Sequence, residues 1–145
     1  MKVLLQRVSQ ASVEVDGQCA GAIGVGLLLL LGLDKGDDEA TADRMLDKLL
    51  AYRVFPDEAG RMNRSVVDVS GGVLLVSQFT LSADTRKGLR PSFSTALPPA
   101  EAETLYHYTL AELQRRHGPV AAGVFGADMR VSLVNDGPVT FLLET

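Results

Sequence analysis

Apolar residues are spaced along this chain in patterns that change from segment to segment, and each change marks a structural element. Lys2 to Val8 and Ala11 to Val15 alternate and are rich in β-branched residues, and Asp16-Gly17 then signals a tight hairpin turn. The first quarter is therefore expected to be antiparallel sheet. Leu27 to Leu31 is apolar at every position, as a strand covered on both faces requires, and Gly32 to Gly36 supplies a breaker. From Asp37 or Asp38 to about Arg53 the period lengthens, with Ala42, Met45, Leu46, Leu49 and Leu50 on one helical face and acidic residues at the start.

Gly71-Gly72 introduces Val73 to Val76, a second strand expected to be buried. Ser82 to Pro99 reads as a long loop, and loops of that length in compact domains tend to be functional or disordered. Leu105, Thr109 and Leu113, flanked by Tyr106 and Leu110, predict a second helix from about Pro99 to His117, closed by Gly118. Met129 to Val134 and Val139 to Leu143 read as two final strands, separated by a turn at Asn135 to Pro138. No repeat or linker interrupts the 145 residues, which fit one domain spanning 1–145.

Composition narrows the class. The longest apolar run, Val25 to Leu33, is less than half of the ~20 residues of a membrane-spanning helix. Arg7 follows the start too closely to leave room for the apolar stretch of a secretory leader. Cys19 is the only cysteine, which excludes an intrachain disulfide and a clustered thiolate metal site. A cytoplasmic protein is the expectation. The net charge of −4 argues against a protein that coats long stretches of DNA, so any nucleic-acid contact must be local. Arg86, Lys87 and Arg90 form one such patch, in a glycine-containing loop where scattered solvated charge is the alternative reading.

The familiar catalytic constellations are missing. His107 and His117 lie ten residues apart on one predicted helix, separated by about 15 Å, and cannot chelate one metal together. No cluster at metal spacing, glycine-rich phosphate loop or G-x-S-x-G elbow occurs, so no metal and no cofactor are expected. Chemistry must then rest on backbone groups and hydroxyls. Ser77-Gln78-Phe79-Thr80 leaves the end of the strand Val73 to Val76, where backbone N–H groups such as those of Gln78 and Phe79 can face a developing oxyanion. On spacing alone, a strand end whose hydroxyls satisfy local backbone is the more ordinary reading. Gly137-Pro138 follows Asp136 in what local signals read as a hairpin turn.

Taken in order, these segments resemble the D-aminoacyl-tRNA deacylase family, also known as D-tyrosyl-tRNA deacylase, from one end of the chain to the other. The matching residues are Gln6-Arg7-Val8, Ser77 to Leu81, Lys87 to Phe93, Phe125 to Met129 and Ser132 to Thr140. Two positions depart from the pattern: Ser82 stands where an aromatic is expected, and Leu89 where a second basic residue is frequent. The resemblance implies an α/β single domain with a mixed, largely antiparallel and partly barrel-like sheet packed by two main helices. It implies a homodimer in which Ser77 to Thr80 of one subunit and Gly137-Pro138 of the other share a pocket.

The resemblance further implies a cis Gly137-Pro138 peptide held by Arg7, pocket-lining roles for Phe79 and Met129, and Arg86, Lys87 and Arg90 on phosphates near the acceptor end of tRNA. The implied reaction is hydrolysis of the ester between a D-amino acid, or glycine, and the terminal adenosine, with L-amino acids excluded. Two other readings compete: a nucleotide- or DNA-associated binding module without catalysis, and a structural or thiol-dependent protein centred on Cys19, for which inert packing is the expectation.

Overall fold

In the computed structural model, which describes residues 1–145, the chain starts with a 14-residue strand, β1 (Lys2–Val15). Asp16 and Gly17 turn it back with positive φ at both positions (51° and 76°), as a two-residue hairpin requires. The return arm is β2 (Gln18–Ile23) and then β3 (Gly26–Gly32), both antiparallel to β1. Helix α1 (Glu39–Ala51) follows, opened by the Asp38 carboxylate, which accepts from Thr41 N at 2.8 Å and Thr41 Oγ1 at 2.7 Å.

A short pair, β4 (Phe55–Pro56) and β5 (Met62–Arg64), leads to β6 (Gly72–Ser77), which lies parallel to β3. Helix α2 (Pro99–Arg116) has proline at its start, where the missing N–H costs nothing, and its C-cap residue His117 donates its N–H to Leu113 O. Then β7 (Val120–Ala122) pairs parallel with β6, and β8 (Arg130–Glu144) runs antiparallel along β1. The sheet is mixed and nearly closes: at Gly21 on β2, a Cβ would come within 2.7 Å of Ala122 O on β7. No helix is long and apolar enough to cross a membrane.

Two apolar clusters explain why Leu27 to Leu31 of β3 and Val73 to Val76 of β6 are hydrophobic at every position. Leu27, Leu29 and Leu31 of β3 and Val73 and Leu75 of β6 face the larger cluster, with Met45, Leu46 and Leu49 of α1 and Leu105, Tyr106 and Leu113 of α2. Leu28, Leu74 and Val76 point the other way, into the curl of the sheet, and meet Val8, Ala11 and Val13. The two helices are also joined by charge, since Arg116 of α2 contacts Asp43 and, at 2.9 Å, Asp47 of α1.

The pattern misleads towards the C-terminus. It predicts two strands and a hairpin turn; β8 is one 15-residue edge strand. Along it, Asn135 pairs with Val8 and Thr140 with Gln6, so residues 136–139 all stand opposite the single residue Arg7; 136–138 are exposed, and Val139 turns back into the core. The Asn135 amide closes the bulge, donating to Arg7 O at 2.9 Å and to Val139 O at 3.1 Å. Those long-range bonds turn a local turn signal into a bulge. Cys19 also departs from expectation, lying exposed on β2 rather than packed.

Candidate active site

The parallel pairing of β3 with β6 sets Ser77 beside Leu31, and the chain then leaves the sheet in a short 3₁₀ turn, Phe79–Ser82. This turn sits hard against β3 because residue 32 is glycine: a Cβ there would meet Leu81 Cβ at 2.8 Å and Gln78 O at 3.2 Å. The Ser82 side chain is buried and donates to Leu33 O at 3.2 Å, which rationalises a small polar residue at that position.

The backbone donors are distributed differently from the sequence expectation. Gln78 N–H is committed to Leu31 O at 2.7 Å and is not available to an oxyanion. Phe79 and Thr80 open the 3₁₀ turn, and no side-chain cap takes up their N–H groups. The N–H groups at the start of the turn are thus those of Phe79 and Thr80. The Gln78 side chain donates through Nε2 to Thr80 Oγ1 at 2.5 Å, so the hydroxyl is held by an amide rather than by a base.

Beside this turn lies a cavity of about 550 Å³, predominantly apolar, a size that accommodates a nucleoside. Ser77 and Phe79 form one side; Phe93, Leu97, Tyr106 and Phe125 form much of the rest. Phe79 is 62% exposed and stacks at a tilt on Phe93, ring centroids 5.0 Å apart. Of the lining residues, Tyr106, 1% exposed, donates its hydroxyl to Leu75 O at 3.2 Å, and burial pushes its phenol pKa up to about 12. Met129 does not line this cavity: it packs on the smaller apolar cluster, its Sδ 2.6 Å from where a Cβ on Gly123 would stand. Periodicity marks Tyr106 only as a neighbour of the helix stripe, and only the packing of α2 on β6 shows that it meets the cavity.

Gly137 and Pro138 occupy the tip of the β8 bulge, exposed in the isolated chain, and the peptide between them is cis, as is Gly118–Pro119. Arg7 holds the bulge at its base, donating from Nε to Asp136 O at 2.9 Å and from Nη1 to Val54 O at 2.6 Å. Its Nε also lies 3.0 Å from the Asp136 carboxylate. Gly137 has no room for a side chain, since a Cβ would fall 2.5 Å from Asn135 Oδ1.

Within one chain the bulge and the 77–80 turn are far apart. From β8 to β6 there are three strand spacings, by way of β1 and β3, and the Arg7 row lies four residues from the row of Val3, Leu31 and Ser77. Along the sheet that is roughly 20 Å, using ~4.8 Å between strands and ~3.3 Å per residue. The three basic loop residues are exposed on a small hairpin closed by Asp84 N to Ser92 O at 2.7 Å and Ser92 N to Asp84 O at 3.0 Å. Arg86 is spent locally: its bidentate contact with Asp84, at 2.9 and 2.7 Å, holds that carboxyl well below the usual carboxylate range. Lys87 and Arg90 form none of the chain's ion pairs.

The family model described as D-Tyr-tRNA(Tyr) deacylase matches residues 4–144. A protein named D-aminoacyl-tRNA deacylase from Stutzerimonas stutzeri is 63% identical over 145 residues, covering 100% of both chains. One of the same name from Cellvibrio japonicus is 63% identical over 141 residues, 97% of each chain. Among solved structures, a c-Myc DNA unwinding element binding protein superposes with a TM-score of 0.95 at 42% identity, covering 100% of this chain and 99% of its own. A probable eukaryotic D-amino acid tRNA deacylase superposes with a TM-score of 0.83 at 15% identity, covering 98% and 97%, a likeness of fold alone. This chain belongs to the D-Tyr-tRNA(Tyr) deacylase family.

Proposed function

We propose that this protein hydrolyses the ester bond of D-aminoacyl-tRNA, releasing free D-amino acid and tRNA, and does so as a cytoplasmic homodimer. The observation that carries the reading is the 77–80 turn on the rim of an apolar cavity of nucleoside size, in a chain of this family. The terminal adenosine enters beside Phe79 and Phe93, and the ester carbonyl comes to rest over the N–H groups of Phe79 and Thr80. These two donors stabilise the oxyanion that forms as the carbonyl is attacked.

An aminoacyl ester is already activated by its α-ammonium and the adjacent ribose hydroxyl, so positioning and oxyanion stabilisation suffice. Water attacks, assisted by the substrate's own 2'-hydroxyl. Thr80 is not the nucleophile: its Oγ1 accepts a bond from the Gln78 amide, and none of its hydrogen bonds is to a carboxylate or imidazole.

The chirality filter is the 136–138 bulge of the partner subunit. Within one chain roughly 20 Å of sheet separates the bulge from the 77–80 turn, which supports a site shared between two copies. For association, β8 presents an unpaired edge with exposed Leu133, Val134 and Leu142. The bulge carbonyls accept hydrogen bonds from the substrate α-ammonium and fill the space an L side chain needs. Glycine carries no side chain to exclude, so glycyl-tRNA is cleaved as well.

Lys87 and Arg90 meet backbone phosphates near the acceptor end, with Arg86 contributing less because Asp84 neutralises it. A reading as a DNA-binding module is disfavoured by the net charge of −4. The test is turnover by purified protein of D-tyrosyl-, L-tyrosyl- and glycyl-tRNA. Rapid loss of the first and third with the second spared supports the reading; equal clearance of the two tyrosyl forms refutes the filter.

A further inference from the structure

A second cavity of about 560 Å³ opens beside the first, and Lys35 belongs to the walls of both. The two differ in character: of nine residues lining the second, only Ala83 is apolar. The partition between them is the strip Ser94–Leu97, hung on the end of β3 by Lys35 N to Thr95 O and Leu97 N to Leu33 O, both 2.9 Å. Lys35 is the one residue that borders both spaces.

The charges of the cleft are three cations, Lys2, Lys35 and Arg86, against two carboxylates, Asp34 and Asp84. Asp84 is gripped by Arg86 at 2.7 Å. Asp34 lies 3.4 Å from a Met1 amino group that Asp37 holds more closely, at 2.7 Å, and its buried Oδ1 accepts no hydrogen bond. Neither Lys2 nor Lys35 is within ion-pair distance of a carboxylate, although Lys2 adds to the positive field on Asp84. Lys2 Nζ gives one bond, to Leu81 O at 3.3 Å, and an ammonium has three donors, so two remain. Lys35 is exposed and takes part in no ion pair of the chain. The hydroxyls of Thr85 and Ser94 add neutral hydrogen-bonding groups.

An apolar slot for a base beside a polar groove that carries two ammonium groups outside any ion pair matches a polynucleotide end: a base in the first, ribose and phosphate in the second. We propose that the cleft of Lys2, Lys35, Thr85 and Ser94 binds the phosphodiester and the penultimate nucleotide that precede the terminal adenosine, with Lys35 on the connecting phosphate. The inference rests on the deacylase reading and assigns that site a second nucleotide position. It also gives the acidic protein a way to hold a nucleic-acid end without a broad basic face.

The test compares two substrates that differ only in this part: the D-tyrosyl ester of adenosine and the D-tyrosyl ester of the trinucleotide CCA. The readout is the ratio of kcat/KM for the trinucleotide ester to kcat/KM for the nucleoside ester. Wild-type protein is expected to prefer the trinucleotide ester by about tenfold, the size of one or two charge-assisted contacts, and to lose that preference as salt rises. Lys35→Ala and, independently, the surface variant Ser94→Asp should bring the ratio towards one, while Lys35→Arg preserves it. Thermal melting of each variant reports that the fold is kept. A ratio in Lys35→Ala and Ser94→Asp equal to that of wild type overturns the cleft assignment and leaves the deacylase reading standing. Failure of wild-type protein to cleave either ester overturns the deacylase reading itself, and the cleft assignment with it.

Discussion

The guanidinium of Arg7 donates to the main-chain oxygen of Asp136 at 2.9 Å, across 129 residues of sequence, and to Val54 O at 2.6 Å. Arg7 is the single β1 residue facing the four-residue bulge of β8, and its side chain holds the segment before Gly137–Pro138 together with the Asn135 amide. A charge that is 12% exposed and tied to two carbonyls holds that geometry better than the edge strand can alone.

Replacing Arg7 with Ala removes both anchors. Deacylation of D-tyrosyl-tRNA should fall at least about tenfold, and stability by about 2 kcal/mol, the range for hydrogen bonds to a charged group. Arg7→Lys keeps the charge but not the fork that reaches two carbonyls, and should recover stability more than activity. Single-turnover rates beside urea unfolding curves separate the two effects.

Thr80→Val tests the absence of a side-chain nucleophile. The hydroxyl only accepts from Gln78, so single-turnover hydrolysis should slow by less than about tenfold, whereas deleting a true nucleophile costs about 10⁴-fold or more. A loss of the larger size would install Thr80 as the attacking group.

Lys87 and Arg90 are predicted to act on phosphate alone. Each change to Ala should weaken binding of different tRNAs about equally and reduce the slope of log K against log salt by about 1. Arg86→Ala should change the slope less, because its charge is already matched by Asp84. Filter binding across a salt series measures all three.

Alkaline pH should expose the buried phenol. Tyr106 ionises at about 12 in the folded chain and near 10 when unfolded, so between those values the unfolded state holds fewer protons. Its contribution is complete below pH 10 and lost as pH rises towards 12. At the top of that window wild type should have lost roughly 2 to 3 kcal/mol from this group, and a Tyr106→Phe variant should lack that part of the slope. Denaturant titrations at a series of alkaline pH values read it directly.

Local pattern is sufficient where an element depends on its own residues and on being covered. The all-apolar runs of β3 and β6, the spacing of α1 and α2, and the Asp16-Gly17 turn are of this kind, and each lies within a residue or two of its expected bounds. Features set by distant partners are not legible this way. Asn135-Asp136-Gly137 carries a strong turn signal, yet Arg7 and the Asn135 amide hold it as a bulge in one continuous strand. The donor role expected of Gln78 N–H fails for a similar reason: the parallel register with β3 delivers Leu31 O to it. Lys35 and Tyr106 meet the cavity only because the 94–97 strip and α2 fold over the end of the sheet. Neither residue stands out in the sequence.

If each active site is built from two chains, subunit mixing tests this most directly. Gln78→Ala combined with Phe79→Ala in one chain, and Arg7→Ala in the other, should each leave a weakly active homodimer. Co-folding the two chains should restore about a quarter of wild-type D-tyrosyl-tRNA hydrolysis, because half of randomly paired dimers are mixed and each mixed dimer has one intact site. If the mixture is no more active than the average of its parents, both segments act within the same chain and the shared site is contradicted.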